Sequence, residues 1–132
     1  MNINQDFLFA GNAIFTIDNG QGTHYTFKVR KPQDDMPHFV SVLSGPDNNS
    51  SYTYMGVLTP NGTVKLTAKS KFKATSQAFR VAQFAVNCIM GLRDLPEGYT
   101  IQHEGRCGRC GRRLTRPDSI ARGIGDYCRT QM

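Results

Sequence analysis

Several absences narrow the reading of this 132-residue chain before any motif is considered. No run of eighteen apolar residues occurs, so no membrane span is expected. The N-terminus, Met1-Asn2-Ile3-Asn4-Gln5-Asp6, has neither the basic start nor the apolar core of a signal peptide. Four cysteines without such a signal point to a reducing, cytoplasmic setting, with thiols rather than bridges. Enzyme signatures are missing too. Ser41 and Ser119 have no nucleophile-elbow context, His24, His38 and His103 fall on separate elements, and no acidic pair has telling spacing. A deaminase would need His-x-Glu well ahead of a Pro-Cys-x-x-Cys, whereas His103-Glu104 lies too close to Cys107 and no proline precedes that cysteine. No enzyme is expected. Internal repeats and low-complexity segments are absent.

What is present divides into two regions. Residues 1–66 hold four Lys/Arg and five Asp/Glu, a net −1, while residues 67–132 hold twelve and five, a net +7. The basic character belongs to the second half and suggests an anionic partner, either nucleic acid or an acidic protein surface. A chain of this length buries on the order of two-thirds of its unfolded surface, so a metal is needed for a local module rather than for the whole fold.

The first region reads as strands. Phe7-Leu8-Phe9 is a short helical turn or an edge segment. Residues 13–17 form a first strand, and Asp18-Asn19-Gly20-Gln21-Gly22 a turn. From Thr23 to Lys31, Tyr25, Phe27 and Val29 alternate with Thr26, Lys28 and Arg30, as in a half-buried strand. Further strands are expected over 38–44, 52–58 and 63–68, the last after an Asn61-Gly62 turn. Turn-linked strands in sequence imply an antiparallel meander. The period then changes. Thr75-Ser76 caps a helix to about Met90, with Phe79, Ala82, Val86, Ile89 and Met90 at helical spacing, and Gly91 stops it. The fold class is therefore α+β: an antiparallel sheet of about five strands, covered by one helix, over residues 1–95, followed by a small C-terminal module over residues 96–132.

That module carries the chemistry. Cys107 and Cys110 stand two residues apart and each is followed by glycine, the arrangement of a metal knuckle, in which a tight turn offers two thiolates and backbone N–H groups to one ion. Cys128 is the third expected ligand. His103 is the best fourth, giving His-x3-Cys-x2-Cys-x17-Cys and a closed, structural Zn2+ site; Cys88, read first as a buried core residue, is the alternative. A redox dithiol or a disulfide is the competing reading of the pair, but redox pairs open a helix after a strand, and Gly111-Arg112-Arg113 is a poor helix start.

Seven arginines and no lysine fall between Arg106 and Arg129. Arg106, Arg109, Arg112, Arg113 and Arg116 lie on or near the knuckle, where a metal would hold their planar forks in place for phosphate or carboxylate. Lys69, Lys71 and Lys73 continue from Lys65 at odd-numbered positions, an even spacing, so all four share one face if the strand runs on to residue 73, as a stripe for a phosphate backbone or as a solvated outer face.

The run Cys107-Gly-Arg-Cys-Gly-Arg-Arg-Leu-Thr-Arg-Pro-Asp-Ser-Ile-Ala-Arg-Gly-Ile-Gly-Asp-Tyr-Cys128 resembles a small zinc module of many bacteriophage and some actinobacterial proteins. Members carry a knuckle, a Leu-Thr-x-Pro-x-Ser-Ile stretch and Gly-Ile-Gly-Pro-x-Cys. The resemblance covers about the last quarter of the chain, and Asp126 stands where members usually have proline, loosening the turn before Cys128. It implies a metal-binding, knuckle or treble-clef-like module and a phage-type origin, not an activity. The functional expectation is a small zinc protein, in the host cytoplasm, that binds DNA or RNA through the arginine-rich module. The alternative is a phage accessory or anti-defence protein that inhibits a host protein.

Overall fold

The computed structural model describes residues 3–44, 51–114, 122–125 and 128–129. A short helix, α1 (Gln5–Leu8), opens the chain; the Asn4 side chain caps it by accepting the Asp6 N–H at 2.9 Å. Then come β1 (Asn12–Asp18), β2 (His24–Arg30), β3 (His38–Leu43), β4 (Tyr52–Leu58), β5 (Val64–Lys65), α2 (Gln77–Ile89) and β6 (Thr100–His103). All strand pairings are antiparallel, in the order β5-β4-β3-β2-β1-β6. The protein is thus α+β with one main helix, and the expected meander holds from β1 to β5.

The alternation that marks β1 in the sequence is realised as burial of Ala13, Phe15 and Ile17 on one face. β1 and β2 pair in continuous register from Asn12 opposite Arg30 to Asp18 opposite His24. A bulge at Val40–Ser41 breaks the β3–β4 ladder. α2 begins at the Ser76 cap, whose hydroxyl accepts the Phe79 N–H, and Gly91 follows with φ +78°. Its buried stripe of Ala82, Ala85, Val86, Cys88 and Ile89 joins the core built on Phe15, Phe27, Val29, Val40 and Met55.

Two features differ from the sequence reading. A sixth strand exists: β6 pairs with β1 from Phe15 opposite His103 to Asp18 opposite Thr100. The sheet therefore reaches past residue 96, where the module was expected to begin. The fifth strand is short and stops at Lys65, where the backbone turns away, so Lys69, Lys71 and Lys73 sit exposed in a turning segment and form no strand-borne stripe. Of the two readings left open for Phe7-Leu8-Phe9, the helical turn is the one observed: Phe7 and Leu8 lie in α1, fully buried, and Phe9 caps it. Among the described residues, no helix is long and apolar enough to cross a membrane.

Candidate metal centre

The chain leaves the sheet at His103 and folds back at once. Gly105, at φ +80°, turns it, and a miniature ribbon follows. Leu114 N–H donates to the Gly105 carbonyl at 2.8 Å, Cys107 N–H to the Arg112 carbonyl at 2.8 Å, and Gly111 N–H to the Cys107 carbonyl at 2.9 Å. Arg106 and Arg113 face each other in an antiparallel bridge. Cys107 and Cys110 lie on the turn that closes this ribbon.

The later segment is stitched to that turn. Gly108 N–H donates to the Gly123 carbonyl at 2.7 Å, and Gly125 N–H to Cys107 Sγ at 3.3 Å. The result gathers three thiols: the sulfurs of Cys107, Cys110 and Cys128 all lie within 4.8 Å of one another. A tetrahedral ion with metal–sulfur bonds of ~2.3 Å needs sulfurs ~3.8 Å apart, so small side-chain rotations suffice. Cys107 and Cys128 are buried and Cys110 is exposed. These three cysteines can hold one metal ion.

The sulfur environment fits that role. Burial opposes ionisation of Cys107, yet the N–H groups of Gly125, Cys110 and Arg109, with the Cys110 thiol, hold it down to about 7. Cys128 is pushed up to about 11, first by burial and then by the neighbouring Cys110 and Cys107 sulfurs. Three crowded sulfurs share negative charge poorly, and a cation among them relieves that conflict.

His103 does not join the cluster. From β6 its Nδ1 accepts the Gly105 N–H at 2.8 Å, and its ring packs beside Phe7 with centroids 5.8 Å apart. Cys88 is remote in role as well: it is buried on α2, and its thiol points to the Asp94 carbonyl at 3.9 Å. The core reading of Cys88 is the one the structure supports.

The arginines divide into two kinds. Arg112 and Arg113 are exposed, and so is Arg106, whose Nη1 donates to the Gly111 carbonyl at 3.3 Å. Arg109 is half-buried, and its Nη1 donates to the Cys128 carbonyl at 3.4 Å. It clips the third cysteine's backbone to the knuckle. Arg116 lies outside the described residues. The lysine segment follows β5 at one edge of the sheet and the knuckle follows β6 at the other, so the two basic groups are not neighbours along the sheet.

Sequence reasoning missed the floor of the site. Phe7 lies against both Gly108 and Gly123, where a Cβ would come within 2.6 Å of its ring in either case. Asn12 adds two bonds from β1, its backbone N–H to the Gly108 carbonyl and its Nδ2 to the Arg109 carbonyl, each at 2.6 Å. The apolar triplet around Phe7 was the available signal, but nothing in the sequence said which element it covers.

With this geometry in hand, the comparisons with known proteins are few. A family model described as a family of unknown function, DUF6011, matches residues 100–132, the segment that contains β6 and the cysteine cluster. No curated protein and no solved structure matches the chain.

Proposed function

We propose that the chain is a nucleic-acid-binding protein, rather than an enzyme, whose contact surface is a zinc-ordered arginine turn. One observation carries the reading. The ribbon from Gly105 to Leu114 bears Arg106, Arg109, Arg112 and Arg113 and no acidic residue, and it closes on the thiol cluster. Sulfur donors at this spacing favour zinc. A filled centre fixes the turn, and the exposed forks of Arg106, Arg112 and Arg113 are then held ready for phosphate oxygens. Arg109 supports the turn from behind. A phage-type origin remains part of this proposal, on the Leu-Thr-x-Pro-x-Ser-Ile and Gly-Ile-Gly stretches.

The test is a salt series with a labelled single-stranded RNA and a labelled DNA duplex. Each phosphate contact contributes a log–log slope of about −0.7 on a single strand or −0.9 on duplex. Arg112→Ala and Arg113→Ala should each flatten the slope by about one such unit, with zinc retained. Absence of binding to both nucleic acids, together with capture of one bacterial host protein that the same substitutions release, would replace this reading with that of an inhibitor.

A further inference from the structure

A second opening lies at the far end of β1 from the knuckle. Asn12, at the start of β1, bonds to the knuckle, whereas Asp18 ends the strand beside a cleft; six residue steps at ~3.3 Å make this roughly 20 Å. The cleft has a volume of about 680 Å³ and lies between the β1–β2 hairpin and α2, with Arg93 and Tyr99 from the following segment. That volume is within the ~300–1,000 Å³ range of small-molecule sites.

The hydrogen bonds around it take up amide oxygens of its lining. Asn19 Oδ1 accepts the backbone N–H groups of Gln21 and Thr23, at 2.8 and 3.1 Å. Gln83 Oε1 accepts the Val64 N–H at 2.8 Å, so its other terminus is the nitrogen, which donates to Asn87 Oδ1 at 3.0 Å. Backbone donors thus fix the Asn19 and Gln83 amides; Asn19 Oδ1 is filled and its Nδ2 is left to donate, while Asn87 offers its Nδ2 donor and one remaining acceptor position on Oδ1. Arg80 and Arg93 add two guanidinium groups, and no Asp or Glu is among the lining residues. Two guanidinium groups with no carboxylate among the lining residues favour an anionic occupant with acceptors for the amide donors. The third ingredient is aromatic: Tyr99 is 36% exposed, stands 5.8 Å from Phe84, and Arg93 lies over the other ring at 4.5 Å.

We propose that this cleft binds one nucleotide unit. The base stacks on Tyr99, its carbonyl and ring-nitrogen acceptors take the Asn19 and Asn87 amides, and the phosphate meets Arg80 and Arg93. The shared chemistry admits two sources, a free mononucleotide or a single nucleotide of an unpaired strand. The proposal does not depend on the metal centre, because it rests on residues at the opposite end of β1.

The experiment is an NMR titration of zinc-loaded, isotope-labelled protein with AMP and UMP, with a tetranucleotide RNA, and with ribose 5-phosphate as the base-free control. Saturable shifts of the Asn19 and Asn87 side-chain amides and the Arg80 and Arg93 Nε–H groups are expected. Tyr99→Ala removes the base stack and should weaken binding about tenfold, while Tyr99→Phe restores it; Arg93→Ala should weaken it comparably. Saturation by mononucleotides identifies a free nucleotide as the source, and saturation by the tetranucleotide alone identifies a strand. Ribose 5-phosphate binding as well as AMP, or no shift with any nucleotide at millimolar concentration, would overturn the proposal. Either failure leaves the knuckle reading standing, since that is read on Arg112 and Arg113.

Discussion

Gly108 lies flat against the ring of Phe7: a Cβ at this glycine would come within 2.6 Å of Cδ1. The contact joins the N-terminal helix to the knuckle across most of the chain's length. A fully buried ring on one side and a backbone turn on the other leave no space for relaxation. Gly108→Ala should therefore destabilise the protein by about 1–3 kcal/mol through overpacking, and Phe7→Ala by about 3–5 kcal/mol through the cavity it leaves. Denaturant titration measures both. Because the two residues touch, Gly108→Ala combined with Phe7→Leu should cost less than the sum of the separate changes.

Arg109 and Arg112 are near neighbours in sequence but should behave differently. Arg109 holds the Cys128 carbonyl, so Arg109→Ala should weaken zinc binding by roughly tenfold, the lower end expected for an outer group that orients a ligand. Arg112 is exposed, and Arg112→Ala should leave zinc affinity unchanged. Competition with a coloured chelator distinguishes the two. Equal zinc affinity in both variants would contradict the clip.

Removing the metal should loosen one end of the molecule. The knuckle rests on Phe7 and Asn12, while β2, β3 and β4 lie further into the sheet. Hydrogen exchange after chelation should accelerate at residues 105–114 and in α1, with protection retained in β2 to β4. Uniform loss of protection would mean that the metal supports the whole fold.

A pH effect is expected at His38. Burial, and then Lys31, hold its pKa below 6.5, although the bond to the Phe9 carbonyl at 3.0 Å pulls the other way. The folded ring stays neutral where the unfolded one already takes a proton, so stability is present above about 6.5 and is lost as pH falls through that value toward the folded pKa. His38→Gln keeps a donor for Phe9 and cannot titrate. Thermal melts of zinc-loaded protein should show the wild type losing more stability than this variant between about pH 6.5 and 5. Proton-linked zinc release is common to both proteins and cancels in the difference. Parallel curves would remove His38 as the cause.

Much of this was legible in the chain. β1 and β2 announce themselves because alternating apolar residues have only one way to face a core, and α2 because Ala82, Val86 and Ile89 recur at helical spacing behind a Ser76 cap. The thiol cluster was legible because a Cys-x-x-Cys turn with glycines constrains its own geometry. β6 was not. Thr100–His103 has one apolar residue, Ile101, and becomes a strand only by pairing with β1, a partner far away in sequence. His103 was proposed as fourth ligand on its spacing; among the described residues the structure groups only the three thiols and has His103 Nδ1 accept the Gly105 N–H, a local contact that spacing does not reveal. The lysine stripe assumed a strand that the turn after Lys65 ends.

The most direct measurement compares zinc-loaded and chelated protein binding to a labelled single-stranded RNA across a salt series. If the metal orders the arginine turn, the loaded protein should bind with a log–log slope of about −0.7 per phosphate contact. Chelation should weaken it at low salt and flatten the slope, and re-addition of zinc should restore both. Loaded and chelated protein binding with the same affinity and slope would contradict the account, because the arginines would then need no metal to meet a phosphate.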